Sequence, residues 1–117
     1  MKLPSDQHPI TLQTLPQRLT VRFQGTVIAQ SDETLVVQEA NYPPVYYVPR
    51  AHINAKYFAR TDHTSHCPYK GDASYYSLVV DGETAENAAW SYESPYPALA
   101  EISEHVAFYP DKVAFEV

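Results

Sequence analysis

The sequence lacks a pair of cysteines, an excess of basic residues and a long apolar run, and each shortage excludes a class of protein. The single cysteine, Cys67, rules out an internal disulfide. Eight Lys and Arg against 14 Asp and Glu give a net charge of −6, so a nucleic acid polymer is disfavoured as a partner. No run approaches the roughly 20 apolar residues of a membrane span, and the first residues lack the apolar stretch of a secretory signal. We therefore expect a cytoplasmic protein with no membrane association.

What the sequence does have is tyrosine. Ten of its 117 residues are tyrosines, in a length that suits one domain with one modest core. Tyrosine combines apolar area with a polar tip, which suits half-buried sheets and pockets.

Alternating apolar residues predict a β protein. Residues 1–17 are expected to form an irregular N-terminal arm, and residues 18–117 a single β domain. About seven short strands favour a small antiparallel β sandwich or open barrel, with two tent-like sheets and one or two short helices. The expected strands, turn, loop and helices are: one strand over 19–30 with a bulge or close backbone approach at Gly25, a returning strand over 34–39, a short strand over 45–48, a helix over 51–60, a loop over 62–71, a central strand over 75–80, a hairpin turn at Asp81-Gly82, a returning strand over 87–93, a short helix over 98–103, and a last hairpin pairing 106–109 with 113–117.

The stretch from His63 to Tyr76 concentrates reactive residue types. Cys67 is a candidate catalytic thiol, because nearby cations such as Lys70 lower the pKa of a thiol. The alternative is that Cys67 is a small, buried and inert residue. His63, His66 and Cys67 also suggest zinc, but His66 and Cys67 are adjacent and their side chains should diverge. We predict no metal site and no cofactor.

A small-anion site is the more favoured interpretation. Lys70 followed by Gly71 offers a cation and exposed backbone N–H groups, and Arg50 at the end of a strand can add a bidentate fork. The competing interpretation is structural, with Lys70 and Arg50 paired to Asp72, Asp111 or Glu93. The predicted ligand-binding residues are Tyr47, Arg50, Lys70, Tyr75, Trp90 and Tyr92.

Four sequence blocks taken together resemble a known bacterial family. The blocks are Tyr47-x-Pro49-Arg50, Thr64-x-x-Cys67-Pro68-Tyr69-Lys70-Gly71-x-Ala73-Ser74-Tyr75-Tyr76, Ala89-Trp90-Ser91-Tyr92 and Val106-Ala107-Phe108-Tyr109-Pro110-Asp111-Lys112-Val113. They are similar to the family catalogued as domain of unknown function 427, which also carries a nucleotidyltransferase-like label. The resemblance implies a small, mostly antiparallel β domain. Where similar proteins often have an acidic residue after Pro-Arg, this chain has Ala51-His52.

The predicted function is the binding of a small anionic or nucleotide-like ligand, and no enzymatic activity is assigned. One alternative is a non-catalytic interaction domain that forms a homodimer through exposed tyrosines. A second alternative is thiol or metal chemistry at His63, His66 and Cys67.

Overall fold

The computed structural model describes all 117 residues, and its ten strands form two antiparallel sheets. The strands are β1 (Ile10–Thr14), β2 (Leu19–Phe23), β3 (Thr26–Ser31), β4 (Leu35–Glu39), β5 (Val45–Pro49), β6 (Phe58–Cys67), β7 (Gly71–Val80), β8 (Glu83–Ser91), β9 (His105–Phe108) and β10 (Ala114–Glu116). The larger sheet has seven strands in the order β1-β4-β5-β9-β8-β7-β6, and the smaller sheet has three in the order β10-β2-β3. This architecture confirms the predicted mainly β fold.

Two tight hairpin turns connect neighbouring strands. Asp81 and Gly82 link β7 to β8 with φ values of 50° and 80°, as their sequence predicts, because this turn requires positive φ at both positions. Gln24 and Gly25 form a similar turn, with φ values of 51° and 76°. The expected single strand over 19–30 is therefore two strands, β2 and β3, and Gly25 lies in a turn rather than in a bulge.

The N-terminal segment is more ordered than predicted. Residues 10–14 were expected to be irregular, but they form β1, which pairs along its whole length with β4. The next predicted connection is also wrong, since β4 does not return onto β3. It pairs with β1 and β5 in the other sheet. Alternation marks a strand but does not identify its partner.

The segment between β5 and β7 corrects two further expectations. The helix expected over 51–60 is reduced to two 3-10 turns, Arg50–His52 and Ala55–Tyr57. The loop expected over 62–71 is largely the ten-residue strand β6. As an edge strand with little buried surface, β6 carries mostly polar side chains, and its sequence therefore resembles that of a loop.

The C-terminal part is divided between the sheets. The short helix predicted near Pro97 is a 3-10 helix over Pro97–Ile102. The last hairpin is wrong, because β9 lies between β5 and β8 whereas β10 pairs with β2. None of the helical segments is long and apolar enough to cross a membrane.

The seven-stranded sheet has a hydrophobic cluster on each face. The first cluster lies between the two sheets and includes Val21, Ile28, Tyr76 and Phe108. The second cluster lies on the other face, where the 3-10 helix over Pro97–Ile102 covers part of the sheet. Its buried members are Val37, Tyr47, Ala73, Tyr75, Tyr92, Leu99, Ile102 and Ala107. Adjacent residues of a strand point to opposite faces, so Tyr75 and Tyr76 belong to different clusters.

Candidate functional site

A cavity of about 230 Å³ opens on the face of the large sheet that carries the second cluster. Its volume equals that of about eight water molecules, below the range usual for sites that bind drug-sized ligands. Other depressions in the surface are larger. Two of them lie away from the predicted site residues, and a third adjoins this cavity and shares Trp90 with it. We call this hollow the ring-lined cavity; its walls are Val37, Glu39, Tyr42, Pro43, Val45, Tyr47, Lys70, Tyr75, Trp90, Tyr92 and Tyr109.

Neighbouring strands place the aromatic rings side by side. Trp90 of β8 lies opposite Tyr75 of β7 in the strand register. The Trp90 ring meets Tyr47 of β5 edge to face at 6.5 Å and lies 4.6 Å from Tyr109. Trp90 Nε1 donates a hydrogen bond of 3.4 Å to the Tyr47 hydroxyl. The strand register therefore places these aromatic side chains next to one another in the absence of a ligand.

The phenol groups of Tyr47, Tyr92 and Tyr109 remain protonated. Burial raises the pKa of Tyr47 and of Tyr92 above the ordinary value of 10. Burial, followed by the neighbouring Tyr75 hydroxyl, raises the pKa of Tyr109 to about 12. Tyr75 hydrogen-bonds Ser65 at 2.8 Å, whereas the Tyr92 hydroxyl makes no hydrogen bond within the protein. A protonated phenol can donate a hydrogen bond, so Tyr92 presents a free donor to the cavity.

A tight turn brings Lys70 to the cavity. Gly71 follows with φ of 111°, a conformation that side-chain-bearing residues rarely adopt, and a Cβ at this position would lie 3.6–3.7 Å from the backbone of residues 94–96. The Lys70 carbonyl accepts a hydrogen bond of 2.9 Å from the Tyr96 amide. The turn thus directs a lysine side chain inward, where it is only 8% exposed.

The Lys70 ammonium is paired rather than free. Its Nζ donates to Oε1 of Glu39, and the other carboxylate oxygen accepts a hydrogen bond of 2.8 Å from His8 Nε2. Burial alone would raise the pKa of Glu39, but the hydrogen bonds from Lys70 and then His8 outweigh burial. The pKa of Glu39 therefore lies below 4.5. With a neutral His8, the three groups carry no net charge.

Arg50 lies on the opposite face of the sheet. It donates hydrogen bonds to the Tyr76 hydroxyl at 2.9 Å and to Ser91 at 3.2 Å, and it pairs with Glu104 at 3.3 Å. Tyr76 and Ser91 are the strand neighbours of two cavity residues, so they point away from the cavity. The expectation that Arg50 and Lys70 converge on one site is wrong. The other five predicted ligand-binding residues, Tyr47, Lys70, Tyr75, Trp90 and Tyr92, line the cavity.

The predicted structural partners of the two cations are also different from those observed. Glu39 and Glu104 take the places expected for Asp72, Asp111 or Glu93. Glu93 instead pairs with Arg60 at 2.8 Å.

The thiol and histidine candidates do not form a common centre. Cys67 is half-buried against the second cluster, and its Sγ lies 4.0 Å from Lys70 Nζ. His63 packs against the Tyr75 ring at 4.4 Å, whereas the exposed His66 pairs with Asp72 at 2.7 Å. The structure contains no group of three His, Cys, Asp or Glu side chains arranged to hold a metal ion.

Local sequence patterns did not mark Glu39, Tyr42 and Tyr109 as cavity residues, nor His8 as a residue that adjoins the cavity. Glu39 lies at the end of a predicted strand, and a buried lysine requires a carboxylate, but local patterns do not show which one. Strand parity, by contrast, could have excluded Arg50: it lies three positions after Tyr47, an odd separation that places the two side chains on opposite faces of an extended strand.

Residues 11–117 match the family model described as a domain of unknown function, DUF427. The chain belongs to this family. The matched region begins within β1 and includes both sheets and all the walls of the cavity. No curated protein sequence matches the chain at a significant level.

Proposed function

We propose that the ring-lined cavity binds a small planar molecule of one or two fused rings that carries acceptor oxygen atoms. The observation that carries the proposal is the convergence of six aromatic side chains around one hollow of about 230 Å³, namely Tyr42, Tyr47, Tyr75, Trp90, Tyr92 and Tyr109. Aromatic faces with a few fixed polar groups are the usual walls of a small-molecule site.

The polar groups of the cavity favour acceptor oxygens on the ligand. The Tyr92 hydroxyl is an unused donor, and its raised pKa keeps it protonated at neutral pH. A ligand oxygen that accepts a hydrogen bond from this hydroxyl gives the phenol a partner that the protein itself does not supply.

The charges around the cavity determine which part of a nucleotide-like ligand it can bind. Arg50 is on the other face and Lys70 is neutralised by Glu39, so no free cation is available for a phosphate group. The proposed ligand therefore has a nucleobase-like ring and no phosphate group. The family's nucleotidyltransferase-like label is consistent with a base-sized ring, but the cavity contains no group that acts on a phosphate.

Fluorescence of Trp90, the only tryptophan, tests the proposal. Benzoate, benzamide and hypoxanthine, each of which carries an acceptor oxygen, are titrated in turn, with inorganic phosphate as the ligand that lacks a ring. At about 0.4 kcal/mol per heavy atom, a ten-atom ring system should have a Kd near 1 mM. We expect a saturable change in Trp90 emission with at least one ring compound and none with phosphate.

Two variants locate the binding. Tyr92→Phe removes only the free hydroxyl and should weaken binding about fivefold, the value of one hydrogen bond. Tyr96→Phe, which changes a tyrosine outside the cavity, and Arg50→Ala should leave the affinity unchanged. If no ring compound changes Trp90 emission, or if only Arg50→Ala weakens binding, the proposal is wrong.

A second candidate function is self-association. An apolar groove of about 520 Å³ adjoins the cavity and shares Trp90 and Tyr109 with it. The large side chains of Tyr42 and Tyr109 are exposed there, which favours contact with a second copy of the chain. Light scattering should then report a dimer that dissociates in Tyr109→Ser, and a monomer at all concentrations would exclude this function.

A further inference from the structure

The segment before β1 is attached to the polar end of the ring-lined cavity. The Lys2 amide donates to the Pro68 carbonyl at 2.7 Å, and the Pro9 carbonyl accepts from the Ala40 amide at 2.8 Å. Between these two points, the His8 ring stacks on Tyr69 at 4.2 Å with an angle of only 6° between the planes. His8 is thus held in place from both sides, although it is not itself a wall of the cavity.

His8 contacts the cavity through one shared carboxylate. Glu39 accepts from His8 with one oxygen and from Lys70 with the other, and both Glu39 and Lys70 are walls of the cavity. Any charge on His8 therefore adds to a cluster that is otherwise balanced. Histidine is the side chain whose charge ordinarily changes between pH 5 and 8.

We propose that His8 determines the charge preference of the ring-lined cavity by adding one positive charge to the Glu39–Lys70 pair when it is protonated. The inference rests on the proposed function. With a neutral His8 the cluster favours uncharged rings, and with a protonated His8 it favours rings that carry a carboxylate.

The groups around His8 allow a positive charge on its ring to change the net charge next to the cavity. Glu39 of β4 is the only carboxylate that pairs with His8, and the lowered pKa of Glu39 keeps this carboxylate ionised near neutral pH. Tyr69 and Lys70, in the turn before β7, face His8. The ring of Tyr42, in the β4–β5 turn, meets the His8 ring edge to face, and the two ring centroids are 6.4 Å apart. Cys67 lies beyond Lys70 at the end of β6. At these positions only Lys70 and Glu39 are charged near neutral pH, and their charges cancel.

A pair of probes of equal shape tests the inference. Benzoate and benzamide have the same ring, but only benzoate is charged, and it remains a carboxylate at both about pH 5.5 and about pH 8. Trp90 fluorescence gives the Kd of each probe at both pH values. We expect benzoate to bind the unaltered chain roughly two- to sixfold more tightly at the lower pH, the effect of one charge at a distance of several ångströms, and benzamide to show no change.

His8→Gln separates charge from hydrogen bonding. The glutamine amide can still donate to Glu39 but cannot be protonated, so the pH effect on benzoate should disappear while the affinity at about pH 8 is retained. His66→Gln is the matched control, because His66 is an exposed histidine that pairs with Asp72 away from the cavity; this variant should keep the effect. His63 is present in both variants, so its contact with Tyr75 cannot produce a difference between them.

The outcomes distinguish the inference from the function on which it rests. If the ring compounds bind but His8→Gln keeps the pH effect, if the unaltered chain shows no pH effect, or if benzamide responds as strongly as benzoate, the inference is wrong and the proposed function stands. If none of the ring compounds binds at either pH, the proposed function fails and the inference fails with it.

Discussion

At the scale of single residues, the site depends on a lysine that is held by a carboxylate. Lys70 and Glu39 are both mostly buried, and a buried charge is stable only when a partner compensates for its lost hydration. The same pairing that permits Lys70 to be buried also removes it as a free anion-binding group. Its role in the cavity is therefore to balance charge and to form part of a wall.

Loss of the ammonium should destabilise the fold. Lys70→Met keeps the length of the side chain but leaves the Glu39 carboxylate with only the hydrogen bond from His8. We expect the free energy of unfolding to fall by about 2 kcal/mol, measured by urea denaturation. Lys112→Met, which alters an exposed lysine, should change it by less than about 0.5 kcal/mol. Equal effects of the two substitutions would contradict the buried ion pair.

The Glu39 carboxyl should also give the fold an acid-sensitive component of stability. Its folded pKa lies below the 4.5 of the free group, so its contribution is complete above about pH 4.5 and is lost as the pH falls through the lowered folded value. Glu39→Gln should therefore be less stable than the unaltered chain at neutral pH, and this difference should shrink on acidification. Glu83→Gln, at an exposed position without an ion pair, is the control. A difference that stays constant down to about pH 2 would show that Glu39 is not held by Lys70 and His8.

At the scale of elements, the first strand joins the N-terminal segment to the domain. β1 covers the edge of β4, and its Ile10 and Leu12 pack against the second cluster. Residues 1–9 contribute fewer contacts, chiefly the hydrogen bond of His8 and the backbone bonds of Lys2 and Pro9.

Two truncations should separate these contributions. Removal of residues 1–9 should lower the free energy of unfolding by about 1 kcal/mol, mainly through the lost His8–Glu39 contact. Removal of residues 1–14 should lower the free energy of unfolding by at least about 3 kcal/mol more. This longer truncation also removes the burial of Ile10 and Leu12 and leaves five residues of β4 without their strand partners. If the two truncated chains unfold at the same urea concentration, β1 does not stabilise the sheet.

What the sequence could predict at this scale follows from how local each signal is. The Asp81-Gly82 turn and the helix near Pro97 depend on a few adjacent residues, and both predictions are confirmed. β6 has a polar sequence because it lies at a sheet edge, and the pairing of β1 with β4 joins segments more than 20 residues apart. Neither feature leaves a local pattern. The aromatic walls were identified because Tyr75, Trp90 and Tyr92 are apolar residues in strands or directly after one. Arg50 was misplaced because it lies just beyond the end of β5, three positions after Tyr47, and its side chain contacts the opposite face of the sheet.

At the scale of the whole molecule, one sheet separates two environments. Its first face is closed by the three-stranded sheet, and its second face is covered only in part, by the 3-10 helix over Pro97–Ile102. The uncovered part is the ring-lined cavity. A net charge of −6 opposes the approach of anions from a distance, which agrees with a cavity whose own charges are balanced unless His8 is protonated.

The most direct test of this account is the position of a bound ring. Trp90 provides the only tryptophan indole N–H signal in a proton–nitrogen correlation spectrum of the labelled chain. Addition of hypoxanthine or benzoate should shift that signal progressively to saturation, together with the amide signals of Tyr75 and Tyr92, and should leave those of Arg50 and Glu104 unchanged. Shifts that cluster around Arg50, or an indole signal that stays in place at saturating ligand, would contradict a binding site on this face of the sheet.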